Sequence, residues 1–432
     1  MYLSDFVAIL LVLAAGSSYL NYRLLRLPTT IGLMALTLLA SLAAIAAGFV
    51  FPAIEREAAA FVSQIDFNRA VLDGMLGFLL FAGALHVDLG DLLRQKAAIT
   101  LLATVGVAVS TLIVAGLAWA LLSLVNAPVS PIYCLLFGAL ISPTDPIAVL
   151  ALLRRLGAPK KLEVIIAGES LFNDGVGVVI FVGLLEVVAG EHPFDPGHLA
   201  ILFLREALGG ATFGLAAGYL VYRLIKSVDN YQVEILLSLA LVAGGYALAH
   251  ALHLSGPIAM VVAGLLIGNH GRIFAMSATT VRNLYLFWDL IDEVLNAILF
   301  VLLGLEVLAM TFTGRYLAAG LLAIPVVLLA RVVSAGIPVW LLRRHQTVER
   351  GTLLVLTWGG LRGALSVAMA LSLPREVAGA EVPEREVILV VTYVVVVFSI
   401  LVQGLTMKPL ARRWLAGVPC PEVKQGVAGH SA

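Results

Sequence analysis

The chain has 432 residues, of which 61% are hydrophobic and 12% charged, with 27 acidic and 27 basic side chains balancing to a formal net charge of zero. Soluble chains carry about 25% charge, so water is not this chain's main solvent. The neutral balance also argues against a nucleic-acid surface, and two cysteines, Cys134 and Cys420, offer no metal-ligand spacing and no disulfide.

Apolar stretches of roughly 18 to 30 residues recur along the chain, each long enough to cross a hydrocarbon core of ~30 Å. They predict an all-α membrane protein with about thirteen spans, at 4–24, 28–50, 68–89, 97–125, 130–156, 161–189, 199–225, 230–252, 255–269, 284–311, 315–342, 350–373 and 385–411. The boundary between the ninth and tenth is the least defined. No basic leader or small-residue cleavage site precedes the first, which is therefore expected to stay in place. Residues 1–414 read as one membrane domain and 415–432 as a short cytoplasmic tail. Loops on one side carry 19 of the 27 basic residues, among them Arg94, Arg154, Arg155, Lys160 and Arg412, against 6 on the other. By the positive-inside rule the N-terminus lies outside and the C-terminus in the cytoplasm.

The fifth span contains Ser142-Pro143-Thr144-Asp145-Pro146. Each proline removes a helix donor and disfavours helical backbone in the residue before it, so two half-helices joined by extended chain are expected. Such a break at membrane depth is tolerated where it is buried in protein or faces a water-filled cavity. Its freed carbonyls, including that of Thr144, can hold a cation. Asp145 can offset the positive end of the second half-helix, ligate the ion, or both; the plainer alternative is a proline kink with a solvated aspartate.

The sixth span carries Gly168-Glu169-Ser170-Leu171-Phe172-Asn173-Asp174-Gly175. At 100° per residue, Glu169, Asn173, Ser170 and Asp174 fall at roughly 0°, 40°, 100° and 140°, on one side of the helix. A carboxylate inside a spanning helix costs ~2.5–3.5 kcal/mol on insertion scales, so two acids here point to function rather than to polar glue between helices. Hard oxygen ligands suit a sodium-like cation better than a transition metal.

In the tenth span Asp289, Asp292, Glu293 and Asn296 crowd one end; Asp292 and Asn296, at i and i+4, either belong to a polar helix end or face a cytoplasmic funnel. The eleventh span holds Arg331, for which snorkelling and a buried role stand about equal. The twelfth places Arg362 among glycines in Trp358-Gly359-Gly360-Leu361-Arg362-Gly363-Ala364. A buried arginine needs an acid partner. Glu169 is the expected one, because that pairing leaves Asp174 as the free titrating group; snorkelling to the interface is the alternative.

These segments resemble the cation:proton antiporter superfamily, in particular its NhaP-type and NHE-type sodium/proton exchanger branch. The resemblance runs from the third span to the last, through Phe81-Ala82-Gly83-Ala84-Leu85, the two polar runs above, Ser255-Gly-Pro-Ile-Ala259, Gly359-Gly-Leu-Arg-Gly-Ala364, and Val402-Gln-Gly-Leu-Thr406 with Pro409. It implies the NhaA-like antiporter fold with thirteen helices, inverted repeats, crossing interrupted helices 5 and 12, and a homodimer. A core around helices 4–6 and 11–13 would move against a dimerisation domain. On matching positions Asp174 would bind ion and proton, with Ser170 and Thr144 as further cation ligands. Asp145 and Asn173 would shape the site, and Glu169 would pair with Arg362. The Asn-Asp pair is similar to the electroneutral branch. One position departs: many relatives carry an acid in the third helix where this chain has Ala82, so the site has one oxygen ligand fewer.

The expected function is secondary exchange of a monovalent cation for a proton in the cell membrane, with sodium first. A potassium/proton exchanger of the same fold, or a passive cation channel, is the alternative. The expected partners are the cation, the proton, the lipid bilayer and a second copy; no cofactor, nucleic acid or enzymatic reaction is expected.

Overall fold

A computed structural model describes residues 3–414 apart from 49, 52, 54–55, 58–61, 63–66, 191–194, 311, 343–350 and 378. The tail expected at 415–432, with Cys420, lies outside the described residues. In chain order the helices are α1 Leu3–Leu20, α2 Thr29–Gly48, α3 Phe67–Leu85, α4 Leu89–Arg94, α5 Lys96–Leu124, α6 Pro131–Ile141, α7 Ile147–Leu156 and α8 Lys160–Val188. They continue as α9 Pro196–Lys226, α10 Tyr231–Ala251, α11 Gly256–Phe274, α12 Ala278–Leu305, α13 Gly314–Leu342, α14 Thr352–Trp358, α15 Ala364–Leu371 and α16 Glu384–Trp414. A two-stranded ribbon, Glu376–Val377 with Ala380–Glu381, connects α15 to α16.

Among the described residues, ten helices are long and apolar enough to span a membrane. The three predicted spans outside that group are informative. Two of them, 130–156 and 350–373, are broken, and the third is α12, whose middle carries Asp289, Asp292 and Glu293. The ill-defined ninth boundary resolves at 275–277, where Ser277 caps α12 by accepting from Thr280 N at 3.3 Å.

Local chemistry sets the other ends. Ser255 and Asn230 accept from the first turns of α11 and α10. Gly157 closes α7 at φ +66°, with Arg154 and Arg155 in the last turn against the negative helix end. Polar residues on two of the helices turn inward while neighbouring leucines face outward, the arrangement a lipid solvent selects. On α5, Ser110 and Thr111 are buried and Leu112 is exposed; on α2, Ser41 is buried and donates to Gly304 O at 2.9 Å while Leu39 is exposed. Close approach needs small residues. A Cβ on Gly138 of α6 would lie 2.3 Å from the Thr111 carbonyl oxygen of α5. The largest apolar core gathers Leu136, Phe137 and Leu140 of α6 with Val367 and Ala368 of α15 and Val395 and Val396 of α16, so both broken helices sit inside the bundle.

Candidate functional site

The two interruptions meet. Between α6 and α7, residues 142–146 run non-helical; between α14 and α15, so do 359–363. The Asp145 N–H donates to the Leu361 carbonyl at 2.8 Å, an isolated antiparallel pairing that ties one break to the other. Backbone that cannot be helical is thus satisfied by a second non-helical segment, as membrane depth requires.

Several other freed groups find side-chain partners. Arg362 Nη1 donates to the carbonyls of Ser142 and Pro143, the latter at 2.9 Å, placing a guanidinium on the negative end of α6. The Arg362 N–H donates to Ser399 Oγ at 2.9 Å, and Ser399 donates to Gln403 Oε1 at 2.6 Å. Gln403 Nε2 in turn donates to the Trp358 carbonyl at 3.1 Å. Ser399 and Gln403 lie in a wide π turn of α16, at Ser399–Gln403, that brings both side chains against the break.

The expected Glu169–Arg362 ion pair is not formed. Glu169 pairs instead with Arg331 of α13: Nη2 donates to Oε2 at 3.0 Å, Nη1 contacts Oε1, and Nε donates to the Leu356 carbonyl at 3.1 Å. Both side chains are buried, at 1% and 6% exposure. The physical reason is competition for Arg362. The break puts two carbonyls within its reach, whereas Arg331, on α13, meets the acid together with the single carbonyl of Leu356. Pairing Glu169 elsewhere still leaves Asp174 without a fixed cation, which was the basis for expecting it to be free.

The rest of the polar run on α8 faces the break. Asn173 Oδ1 accepts from Thr144 N at 3.3 Å while its Nδ2 donates to Thr144 Oγ1 at 2.9 Å, a two-point contact that sets the amide's orientation. Thr144 Oγ1 and Ser170 Oγ are 3.0 Å apart. Asp145 caps α7, Oδ1 accepting from Ile147 N at 3.0 Å, so the helix-end role is realised. Gly177, one turn beyond, lets Pro143 pack on α8: a Cβ there would come 2.4 Å from Pro143 Cγ.

Thr144, Asp145, Ser170 and Asp174 line one wall of a cavity of about 390 Å³. The lining also includes Ala82, Gly83 and His86 of α3 and Asp289, Asp292 and Asn296 of α12. Glu169 and Asn173 do not reach it, so the four residues that share a helix side divide between support and lining. Among the described residues none hydrogen-bonds or ion-pairs with the Asp174 carboxylate. The lining offers hydroxyl and carboxylate oxygen, a set for a hard monovalent cation. Two contributions were not read from the sequence: Arg331 as the partner of Glu169, and the Ser399–Gln403 clamp. Of the second, Gln403 lies within the Val402–Thr406 run, whose polar residues amid apolar ones are the available signal, and Ser399 lies just before it.

Comparison with known proteins agrees with this architecture. The family described as "Sodium/hydrogen exchanger, transmembrane" matches residues 3–413. The chain is 50% identical over 423 residues to the Na(+)/H(+) antiporter NhaP of Pseudomonas aeruginosa, covering 96% of this chain and 98% of that protein. It is 36% identical over 416 residues to the Na(+)/H(+) antiporter NhaH of Halobacillus dabanensis, with 94% and 97% covered. In fold it is similar to the sodium proton antiporter MjNhaP1 from Methanocaldococcus jannaschii, with a TM-score of 0.74 at 20% identity over 96% of this chain and all of that one. Crossed broken helices beside a carboxylate-lined cavity, within a membrane bundle, define a secondary active transporter. The chain belongs to the sodium/hydrogen exchanger family.

Proposed function

We propose that this protein exchanges sodium for protons across the cell membrane, one for one, with Asp174 as the group that carries each in turn. The observation that carries this reading is the charge arrangement around the breaks. Glu169 is matched by Arg331, Arg362 by the carbonyl end of α6, and Asp145 by the N-terminus of α7. Asp174 faces the cavity with no fixed partner among the described residues. Sodium, ligated by Asp174, Ser170 and Thr144, displaces the Asp174 proton into the cavity; a proton arriving later displaces sodium. Each loaded form is neutral at that carboxylate, so the cycle moves no net charge. The empty carboxylate is held back, because carrying it uncompensated through low dielectric costs several kcal/mol.

The cavity lining includes Val87 and Arg154, at ends assigned to the cytoplasm by the basic-residue count, which supports a cytoplasm-open state. The same count supports thirteen crossings with the N-terminus outside. A core containing both breaks, moving against the remaining helices of a homodimer, completes the reading. Oxygen ligands alone do not separate sodium from potassium. The test is a cation panel in proteoliposomes, with and without an imposed potential. Sodium-driven pH change that ignores the potential supports electroneutral sodium exchange; potassium preference, or cation flux without proton movement, refutes it.

A further inference from the structure

The cavity has a second set of oxygen atoms that the exchange cycle does not use. Asp289, Asp292, Asn296 and Leu299 follow one another along a single face of α12 and all line it together with residues of the first break. The α3 part of this wall is apolar at Ala82 and Gly83, so α12 supplies its acids. Asp289 is engaged, with Oδ1 2.9 Å from His86 Nε2, and the cavity's Arg154 lies 3.7 Å from Glu163. Asp292 takes part in no salt bridge among the described residues. Asn296, 4% exposed, donates through Nδ2 to the Asp292 carbonyl at 2.8 Å, and this sets its amide. Asn296 Oδ1 is left buried and without a partner. An unpaired buried acceptor is costly, and buried polar groups are nearly always matched by something. Here the group that matches it must also tolerate a carboxylate one helical turn away, which selects a cation over an anion or an apolar ligand.

We propose that Asp292 and Asn296 form a second binding site for the transported monovalent cation, a holding site from which sodium passes to Asp174. The inference rests on the exchange reading above. A carboxylate and an amide oxygen at i and i+4 present two hard ligands, and the hydrated cavity supplies the rest of the shell. Sodium held there raises the local concentration beside Asp145 and Asp174 without adding a group that must exchange protons.

The experiment measures half-saturating sodium in proteoliposomes. Asp292→Asn and Asn296→Leu are each expected to raise it, roughly three- to tenfold for the charge loss, the size of one Coulomb interaction over several Å in a partly hydrated site. Asn296→Asp is expected to lower it, a gain that misfolding does not produce. Calorimetric titration of the Asp174→Asn protein with sodium chloride should retain one weak site, which adding Asp292→Asn abolishes. Half-saturation within twofold of wild type in all three single variants overturns the holding site, as does an Asp174→Asn protein that binds no sodium; Asn296 Oδ1 then holds an ordered water only. A wild type that exchanges no sodium for protons refutes the transport reading instead, and the titration still decides this one.

Discussion

Removing the Glu169 charge tests the strongest rearrangement relative to what the sequence suggests. In Glu169→Gln, Arg331 keeps its positive charge at 6% exposure and loses a two-point contact whose Nη2–Oε2 leg is 3.0 Å. At an effective dielectric near 20, a pair at 3 to 4 Å is worth about 4–5 kcal/mol. Breaking one side of a buried pair typically costs about 3–5 kcal/mol, whereas replacing both partners by apolar residues of similar volume is often neutral. Glu169→Gln is therefore expected to destabilise by about 3–5 kcal/mol, and Glu169→Leu combined with Arg331→Met to recover most of it. A double-mutant cycle, read by unfolding in mixed micelles, should return a coupling above ~2 kcal/mol for positions 169 and 331. For 169 and 362 the coupling should stay under ~1 kcal/mol, since Arg362 is held by carbonyls. A larger coupling to 362 than to 331 would refute the pairing.

Asp174→Asn should abolish sodium-driven proton flux while the protein remains folded; normal flux would remove Asp174 from its role. Arg362→Ala strands the Ser142 and Pro143 carbonyls and should reduce stability by about 2–4 kcal/mol, from two charge-assisted hydrogen bonds, with a smaller change in sodium affinity. Gly177→Ala drives a methyl into Pro143 and should cost about 1–3 kcal/mol or displace the break, measurable as lowered thermal stability and lost exchange. At the membrane surface, Lys160 beside Asp91 in α4 holds that carboxyl below its ordinary value. Its contribution is present above the unfolded value near ~3.9 and is lost as pH falls through the lower folded one. Lys160→Ala should therefore change stability by less than about 1 kcal/mol at neutral pH, an effect that salt diminishes and strong acid erases.

The membrane class, the break at Pro143 and Pro146, and the polar run on α8 are legible in the sequence because each is a local property. Two prolines three residues apart withdraw two donors from one helical turn, whereas the single Pro325, Pro338 and Pro409 stay within helices; a carboxylate in an apolar stretch needs a reason wherever the helix lands. Spacing also brought Ser170 and Asp174 to one helix side, and the structure puts both on the cavity. Spacing could not say that Glu169 and Asn173, on the same side, turn away from it, nor that Arg331 rather than Arg362 meets Glu169. Those outcomes depend on how α8, α13 and the second break rotate and pack against one another, and on which acceptors then lie within reach of each guanidinium. The crossing itself, with Asp145 bonded to Leu361 more than 200 residues away, belongs to the same class. Local sequence determines where backbone is released from helix. Only tertiary packing decides which distant group satisfies it, because hydrogen bonds and ion pairs act over a few Å and the chain alone does not state which few Å those will be.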